Sequence, residues 1–167
     1  MGAEHPIRSV MNADDVTRSL TRIAHEIIER NQGIEGLVLL GIQTRGVPLA
    51  KRLAGIISRA YNDVPIDWGS LDITMYRDDL ASQPTRAPQA SDVPGGSIDN
   101  RTVVLVDDVF YSGRTIRAAF EALGPYGRPS SVQLAVLVDR GHRRLPIRAD
   151  YVGKNLPTAL TDRKSVV

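Results

Sequence analysis

The chain has 167 residues, of which 42% are apolar and 5% aromatic, so we expect one domain with a core of aliphatic side chains. It has no cysteine, which excludes disulfides and thiolate metal sites, and its histidines His5, His25 and His142 are too scattered to suggest structural zinc. With no long apolar run and no secretory signal pattern, the sequence predicts a cytoplasmic protein without a membrane span. The formal net charge of +2 conceals a basic segment at residues 139–154.

The first part of the chain predicts a helix, a strand, a turn and a second helix. Asn12 suits an N-cap, and apolar residues recur at helical spacing after it. Pro48 suits the first turn of the second helix. The predicted bounds are 13–30 and 47–60 for the helices, 37–40 for the strand and 41–46 for the turn.

The remainder predicts further alternation of strands and helices. Residues 64–77 predict two strands joined around Trp68, whereas residues 78–100 show no periodicity, and such a long segment is usually functional or disordered. The other predicted elements are strands at 102–106 and 131–138 and a helix at 115–123. This order predicts an α/β fold with a mostly parallel sheet, helices on both faces, and a ligand beyond the carboxyl ends of the strands.

Residues 103–115, VVLVDDVFYSGRT, form the most informative segment. A buried strand leads to Asp107 and Asp108, and small residues follow where a helix begins. The N-terminus of a helix favours a phosphate, and paired carboxylates can accept hydrogen bonds from sugar hydroxyls, so a sugar phosphate is predicted. An ordinary strand end with an acidic turn is the alternative, but it requires neither the acid pair nor the Ser-Gly-x-Thr run.

The same segment resembles the phosphoribosyl pyrophosphate (PRPP) binding motif of the type I phosphoribosyltransferases. The resemblance implies the fold of that family, a mostly parallel sheet flanked by helices with a small C-terminal hood, as a single domain over residues 1–167. It implies that Asp107 and Asp108 are catalytic and hold the ribose hydroxyls. The PRPP or nucleotide contacts that it implies here are Asp107, Asp108, Val109, Phe110, Tyr111, Ser112, Gly113, Arg114 and Thr115.

The turn at residues 41–46, GIQTRG, offers glycines, a hydroxyl and a guanidinium that can bind a diphosphate through two nitrogens. Alone it is equally typical of a plain strand-to-helix connector. Beside residues 103–115 it resembles the family's pyrophosphate loop, which often contains a non-proline cis peptide, and Thr44, Arg45 and Gly46 would hold the leaving group.

A second loop carries a separate resemblance. The segment that begins at Asp72 is similar to the family's flexible lid, here about residues 78–100, which closes over the reaction centre to exclude water. This places Arg77 near the diphosphate. A surface loop with a salt-bridged stem is the alternative reading.

Three longer segments carry a closer resemblance, which spans nearly the whole chain: residues 21–31 (TRIAHEIIERN), 71–80 (LDITMYRDDL) and 134–158 (LAVLVDRGHRRLPIRADYVGKNLPT). Together they resemble the bifunctional pyrimidine operon regulators that are also uracil phosphoribosyltransferases. In that family a hood, here about residues 139–167, covers the base, which implies that Arg140 lies near uracil and that Val152 supplies backbone contacts. The sequence diverges from the family pattern after Thr158, so we expect the closing strand of the hood to be missing or altered.

This resemblance also implies binding to pyrimidine operon messenger RNA. Three of the residues concerned fall on one helical face by their spacing, although such a face is often simply solvated. Others belong to the basic segment, whose charges suit phosphates and RNA loops. The implied RNA contacts are Thr21, Arg22, His25, His142, Arg143, Arg148 and Lys154.

The implied reaction converts uracil and PRPP to uridine monophosphate (UMP) and pyrophosphate, with a magnesium ion held mainly through PRPP and not by direct protein ligands. Bound UMP would favour the RNA-binding state, and a homo-oligomer, a dimer or larger, is expected. Two alternatives stay open: an RNA-binding nucleotide sensor with little or no catalysis, and a phosphoribosyltransferase for another base, such as a purine or orotate. The resemblance of the hood segment argues against the second.

Overall fold

The computed structural model describes residues 11–77, 90–110, 113–141 and 146–156. The helices are α1 (Ala13–Arg30), α2 (Gly46–Ala60) and α3 (Arg114–Leu123). The strands are β1 (Leu37–Ile42), β2 (Asp67–Leu71), β3 (Thr102–Phe110), β4 (Ser131–Asp139) and β5 (Tyr151–Asn155). Short 3-10 turns lie at Thr74–Tyr76, Pro94–Gly96 and Gly124–Tyr126.

These strands form one parallel sheet in the order β2-β1-β3-β4-β5. The apolar faces of α1 and α2 cover one side of the sheet, where Leu20 and Leu53 pack in the same cluster as Val104. On the other side, Ile116 of α3 packs in the same cluster as Leu105. The predicted α/β architecture is therefore confirmed. The chain passes from β1 to β2 on one side and then crosses back to β3 on the other side of β1. This reversal of strand order creates a crevice at the carboxyl ends of the strands, where ligands of such sheets bind.

The first helix has the predicted bounds because its N-terminus is fully capped. Asn12 Oδ1 accepts a hydrogen bond from the Asp15 N–H at 2.8 Å, and the Asn12 N–H donates to Asp15 Oδ2 at 3.2 Å. This reciprocal pair satisfies two N–H groups that have no partner within a helix.

The prediction of two strands in residues 64–77 is wrong, because one strand, β2, runs through the predicted link at Trp68. Only β2 forms, and the chain then turns, because Asp72 Oδ1 accepts hydrogen bonds from the backbone N–H of Thr74 at 3.1 Å and from its hydroxyl at 2.6 Å. A side chain that binds the backbone two residues on offers an alternative to a strand ladder.

The expected lid over residues 78–100 must also be shortened. Residues 78–89 lie outside the described residues, but the segment after them is tied to the fold. Ser70 and Asp92 exchange two backbone hydrogen bonds of 2.9 Å, and Val93 and Ile98 are buried in the core. Apolar burial and sheet pairing therefore fix residues 92–98 in place.

The expected hood over residues 139–167 overlaps the main sheet. Tyr151–Asn155 forms β5, which pairs in parallel with β4 from Ala135 to Asp139. Burial of Tyr151 beneath α1 draws this segment into the core. Residues 142–145 and 157–167, which include the expected altered end of the hood, lie outside the described residues.

Candidate functional site

The loop after β1 is shaped by two glycines that allow the backbone to pack closely. A Cβ on Gly46 would lie 2.1 Å from the Val106 carbonyl oxygen of β3, and one on Gly41 would lie 2.5 Å from the Gly46 carbonyl oxygen. Only glycine fits at such separations. The loop contains a non-proline cis peptide between Gln43 and Thr44, as the resemblance implied.

The acid pair lies in the last part of β3, because the strand continues to Phe110 instead of ending at the predicted residue 106. Asp107 Oδ1 accepts a hydrogen bond from the Asp108 N–H, and Asp108 Oδ1 accepts one from the Val109 N–H, each at 2.8 Å. Burial, and secondarily the neighbouring Asp108 charge, raise the pKa of the Asp107 carboxyl well above its ordinary value. Asp107 therefore holds its proton to higher pH than an ordinary aspartate does.

Arg45 connects this acid pair to the loop after β1. Its Nη1 lies 3.5 Å from Asp108 Oδ2, and its side chain is 58% exposed. The guanidinium therefore remains accessible to an anion while it faces the carboxylates. Thr44 is also exposed, whereas Gly46 is buried at the start of α2.

The N-terminus of α3 lies beyond the end of β3. Gly113 is the N-cap, with φ of 95° and no side-chain capping bond, and the helix begins at Arg114 instead of the predicted Thr115. A glycine N-cap offers no side chain to the N–H groups of the first turn, and such N–H groups suit a phosphate. Tyr111 and Ser112 lie outside the described residues.

Arg140 directly follows β4, the strand next to β3, and Val152 lies on β5, one strand further out. The Arg140 N–H donates to the Phe110 carbonyl oxygen at 2.9 Å, and Arg140 is buried, with 2% exposed. The parallel register aligns Asp107 with Val136 and Val136 with Val152, so Val152 lies two strands from the acid pair. Arg77 is exposed and follows the turn beyond β2.

Asp139 is a buried acid to which the sequence analysis gave no role. It is 3% exposed and ends β4 opposite Phe110. Its Oδ1 accepts a hydrogen bond from the Gly141 N–H at 2.9 Å, which closes the turn that carries Arg140. The sequence did carry a signal for this residue, because Asp139 directly follows the predicted strand at 131–138 as Asp107 follows the one at 102–106.

The residues expected to contact RNA fall into several groups. Thr21 and His25 lie on α1, and His25 is exposed, while exposed Arg148 and Lys154 lie before and within β5. Arg22 has a role that the sequence did not reveal: its guanidinium donates to the carbonyl oxygens of Val152 at 3.1 Å and Gly153 at 2.7 Å. His142 and Arg143 lie outside the described residues.

Within the described part of the chain, no three His, Cys, Asp or Glu side chains form a group that could hold a metal ion unaided. The acid pair presents hard oxygen donors, which suit the surroundings of a magnesium ion that is itself bound by a diphosphate. None of the described helices is both long and apolar enough to cross a bilayer.

Comparisons with known proteins define the class first. A family model described as phosphoribosyl transferase domain matches residues 10–165. A hypoxanthine phosphoribosyltransferase from Staphylococcus aureus superposes with a TM-score of 0.66 at 25% identity, covering 86% of this chain and 74% of that chain. The Trypanosoma cruzi hypoxanthine phosphoribosyltransferase superposes with a TM-score of 0.66 at 22% identity, covering 87% and 79%. The fold is that of a type I phosphoribosyltransferase.

Curated relatives then narrow the class. A protein from Leifsonia xyli is 61% identical over 93% of this chain and 87% of its own length, and one from Streptomyces coelicolor is 61% identical over 95% and 82%. A third, from Mycolicibacterium paratuberculosis, is 54% identical over 99% and 89%. All three are named bifunctional protein PyrR, and the chain belongs to this PyrR family.

Proposed function

We propose that the chain is a UMP-dependent RNA-binding regulator of pyrimidine biosynthesis genes that also converts uracil and PRPP to UMP and pyrophosphate. The observation that carries the proposal is the meeting of the glycine-shaped loop and the acid pair, joined by Arg45 and Asp108, at the carboxyl ends of β1 and β3. The names of the PyrR relatives support both activities. Steady-state assay of UMP formation tests the enzymatic half directly.

The site suits displacement at the anomeric carbon of PRPP. The bond from that carbon to the diphosphate oxygen breaks, a bond to N1 of uracil forms, and the N1 proton passes to solvent. Positive charge develops on the ribose, and the Asp107 and Asp108 carboxyls hold its hydroxyls and stabilise that charge. Arg45 and the loop after β1 bind the departing diphosphate, while the N-terminus of α3 binds the 5′-phosphate.

Magnesium is part of this proposal. A bound magnesium ion would neutralise charge on the diphosphate. The ion would be held mainly through the phosphates of PRPP and by water, as Mg²⁺ commonly is at phosphate-transfer sites. Asp108, which faces Arg45, presents its Oδ2 on the side of the loop that is proposed to hold the diphosphate.

The uracil contacts are assigned to the turn after β4 and to β5. Arg140, buried and held by Asp139 and Phe110 in one turn, would contact the base, and the Val152 backbone would border it. Because Arg22 binds the Val152 and Gly153 carbonyls, the base side of the site is tied to α1, which carries Thr21 and His25. This connection gives a physical route by which UMP can favour RNA binding.

A cytoplasmic location is part of the proposal, because the proposed substrates and messenger RNA occur there. Met75 and Phe120 are 63% and 45% exposed, and large apolar side chains of this kind suit contact with a second copy of the chain. A homo-oligomer is therefore part of the proposal, and sedimentation velocity measures it.

Arg45→Ala is expected to weaken PRPP and pyrophosphate binding by about tenfold or more, since a charge-assisted contact contributes about 1.5–3 kcal/mol. UMP lacks a diphosphate, so its affinity should change little. Isothermal titration with the three ligands measures the contrast. An equal loss for all three would show that Arg45 supports the loop instead of the leaving group.

His25→Ala and Arg148→Ala are expected to reduce affinity for pyrimidine operon leader RNA while transferase activity stays at the parental level. If Arg148 contacts a phosphate, its loss should make the log-log salt slope shallower by about 0.7, whereas loss of a stacking contact at His25 should leave the slope unchanged. Arg22→Ala is unsuitable here because Arg22 also holds β5. Parental RNA affinity of both variants, with UMP present, would contradict the regulatory half.

The main alternative is a nucleotide sensor that binds RNA without catalysis. The exposed guanidinium of Arg45 and the acid pair argue for turnover, because a sensor of UMP alone has no need for a diphosphate contact. UMP binding without any UMP formation from uracil and PRPP would establish the sensor. Formation of a purine or orotidine nucleotide would instead show that the base is different.

A further inference from the structure

A second charged surface lies between α1 and α2, apart from the site described above. It is a groove with a volume of about 340 Å³, open to solvent. It is lined by Thr17 and Thr21 of α1 and by Lys51, Arg52, Gly55, Ile56 and Arg59 of α2. We call it the α1–α2 groove.

The α1–α2 groove is positively charged along its length. Three of its lining side chains are basic and none is acidic, and α2 has no Asp or Glu. Among the described residues, no carboxylate forms an ion pair with Lys51, Arg52 or Arg59. Arg52 Nη2 donates to Thr17 Oγ1 at 3.1 Å, which holds one guanidinium across the groove. Uncompensated charge in a concave surface attracts anionic partners.

Gly55 exposes bare backbone in the same groove. An interior helical glycine costs about 1 kcal/mol relative to alanine, and the fold gives no packing reason for it. A Cβ at this position would meet only Arg59 Nη1, at an ordinary contact distance of 3.5 Å. The missing side chain leaves room for a ligand to approach the helix closely between cationic groups.

The α1–α2 groove is continuous with the proposed RNA surface. Thr21 belongs to both, and His25 lies one helical turn further along α1. A phosphate backbone matches the row of cations, hydroxyls and exposed backbone in this groove. We propose that the α1–α2 groove binds the sugar-phosphate backbone of the regulatory RNA, extending the contact surface beyond Thr21; this inference rests on the proposed function.

The test compares two double variants that remove the same charge. Lys51→Gln/Arg59→Gln neutralises the groove, and Arg117→Gln/Arg128→Gln neutralises two exposed arginines, one on α3 and one in the loop after it. The probe is the transcribed leader of the pyrimidine operon from the same genome, with UMP present. We expect the groove variant to bind the RNA about tenfold more weakly near 0.15 M salt, and its slope of log affinity against log salt concentration to be shallower by about 1.4. The control should bind the RNA like the parent. Transferase activity should be unchanged in both.

Gly55→Leu tests the groove without changing charge. Leucine is a better helix former, so thermal stability should not fall, while its side chain should fill the groove and weaken RNA binding. Parental affinity of the groove variants, together with weakened binding by His25→Ala, would overturn this inference and leave the proposed function intact. Failure of the parent to bind leader RNA would overturn both. A change in sedimenting mass of the groove variant without RNA would also overturn it, because the groove would then be a contact between copies.

Discussion

The double variant Asp107→Asn/Asp108→Asn is expected to lose uracil phosphoribosyltransferase activity by at least about 10²–10³-fold, the scale of removing a preorganised electrostatic group from a transition state. Both acids lie at the edge of the crevice, and each Oδ1 accepts a backbone hydrogen bond that an amide oxygen can also accept. The fold should therefore persist. UMP formation measures the loss, and circular dichroism confirms the fold.

The single substitution Asp107→Asn should also change the stability of the fold in a pH-dependent way. Burial raises the pKa of Asp107, so the folded chain holds its proton to higher pH than the unfolded chain does. Stability from this group is therefore present at low pH and is lost as the pH rises from the ordinary value of about 3.9 through the raised value. Asn does not ionise, so Asp107→Asn should melt above the parent at about pH 8 and nearer to it at about pH 4.

Asp63→Asn, an exposed position outside the crevice, is the matched control for both measurements. It should keep parental activity and show no comparable pH-dependent gain. Unchanged turnover in the double variant would exclude the acid pair from catalysis. A melting difference independent of pH would show that the buried charge of Asp107 does not set the effect.

Gly46→Ala is expected to destabilise the protein by about 1–3 kcal/mol or more, as overpacking does, and to weaken PRPP binding at the same time. The new methyl would lie 2.1 Å from the Val106 carbonyl oxygen and 3.2 Å from the Asp107 Cα, both in a central strand that cannot easily move. The start of α2 must shift instead, and the loop that holds Arg45 shifts with it. Each kcal/mol lowers Tm by about 2–4 °C in a chain of this size.

Gly55→Ala is the control for this prediction, because a Cβ there makes only one ordinary contact. It should stabilise α2 by up to about 1 kcal/mol. Thermal melts and titration with PRPP compare the two alanine variants. If Gly46→Ala melts with the parent and binds PRPP normally, close packing of the loop on β3 has no functional role.

The sequence predicts those elements whose signals are local. The bounds of α1 follow from the Asn12 cap and helical spacing, and the parallel sheet follows from the alternation of strands and helices. The strand expected after β2 fails because the Asp72 side chain outcompetes the ladder. The sequence analysis missed β5 as a strand, because its residues include Gly153, Lys154 and Asn155, which have weak strand propensity. Pairing with β4 and coverage by α1 override that preference.

In the candidate site, too, features with local sequence signals could be predicted, and contacts between distant segments could not. Residues 103–115 and the loop at residues 41–46 carry their chemistry in adjacent positions, so their role could be predicted before the structure brought Arg45 to 3.5 Å from Asp108. The hydrogen bonds of Arg22 join distant segments, and spacing along a helix cannot reveal them. The need for glycine at position 153 could not be predicted either. A Cβ there would lie 2.6 Å from the Leu137 carbonyl oxygen, a contact that only the folded structure reveals.

The contacts between α1 and the region of β5 bear on how the chain folds. Arg22 reaches carbonyl groups 130 and 131 residues away, and Arg30 pairs at 2.8 Å with Asp150, 120 residues away. Contacts at such separation require closure of long loops and slow the folding of a chain. During synthesis, the first helix emerges early but remains partly uncovered until the last strand of the sheet follows. The helix α1 and the strand β5 therefore complete their folding together.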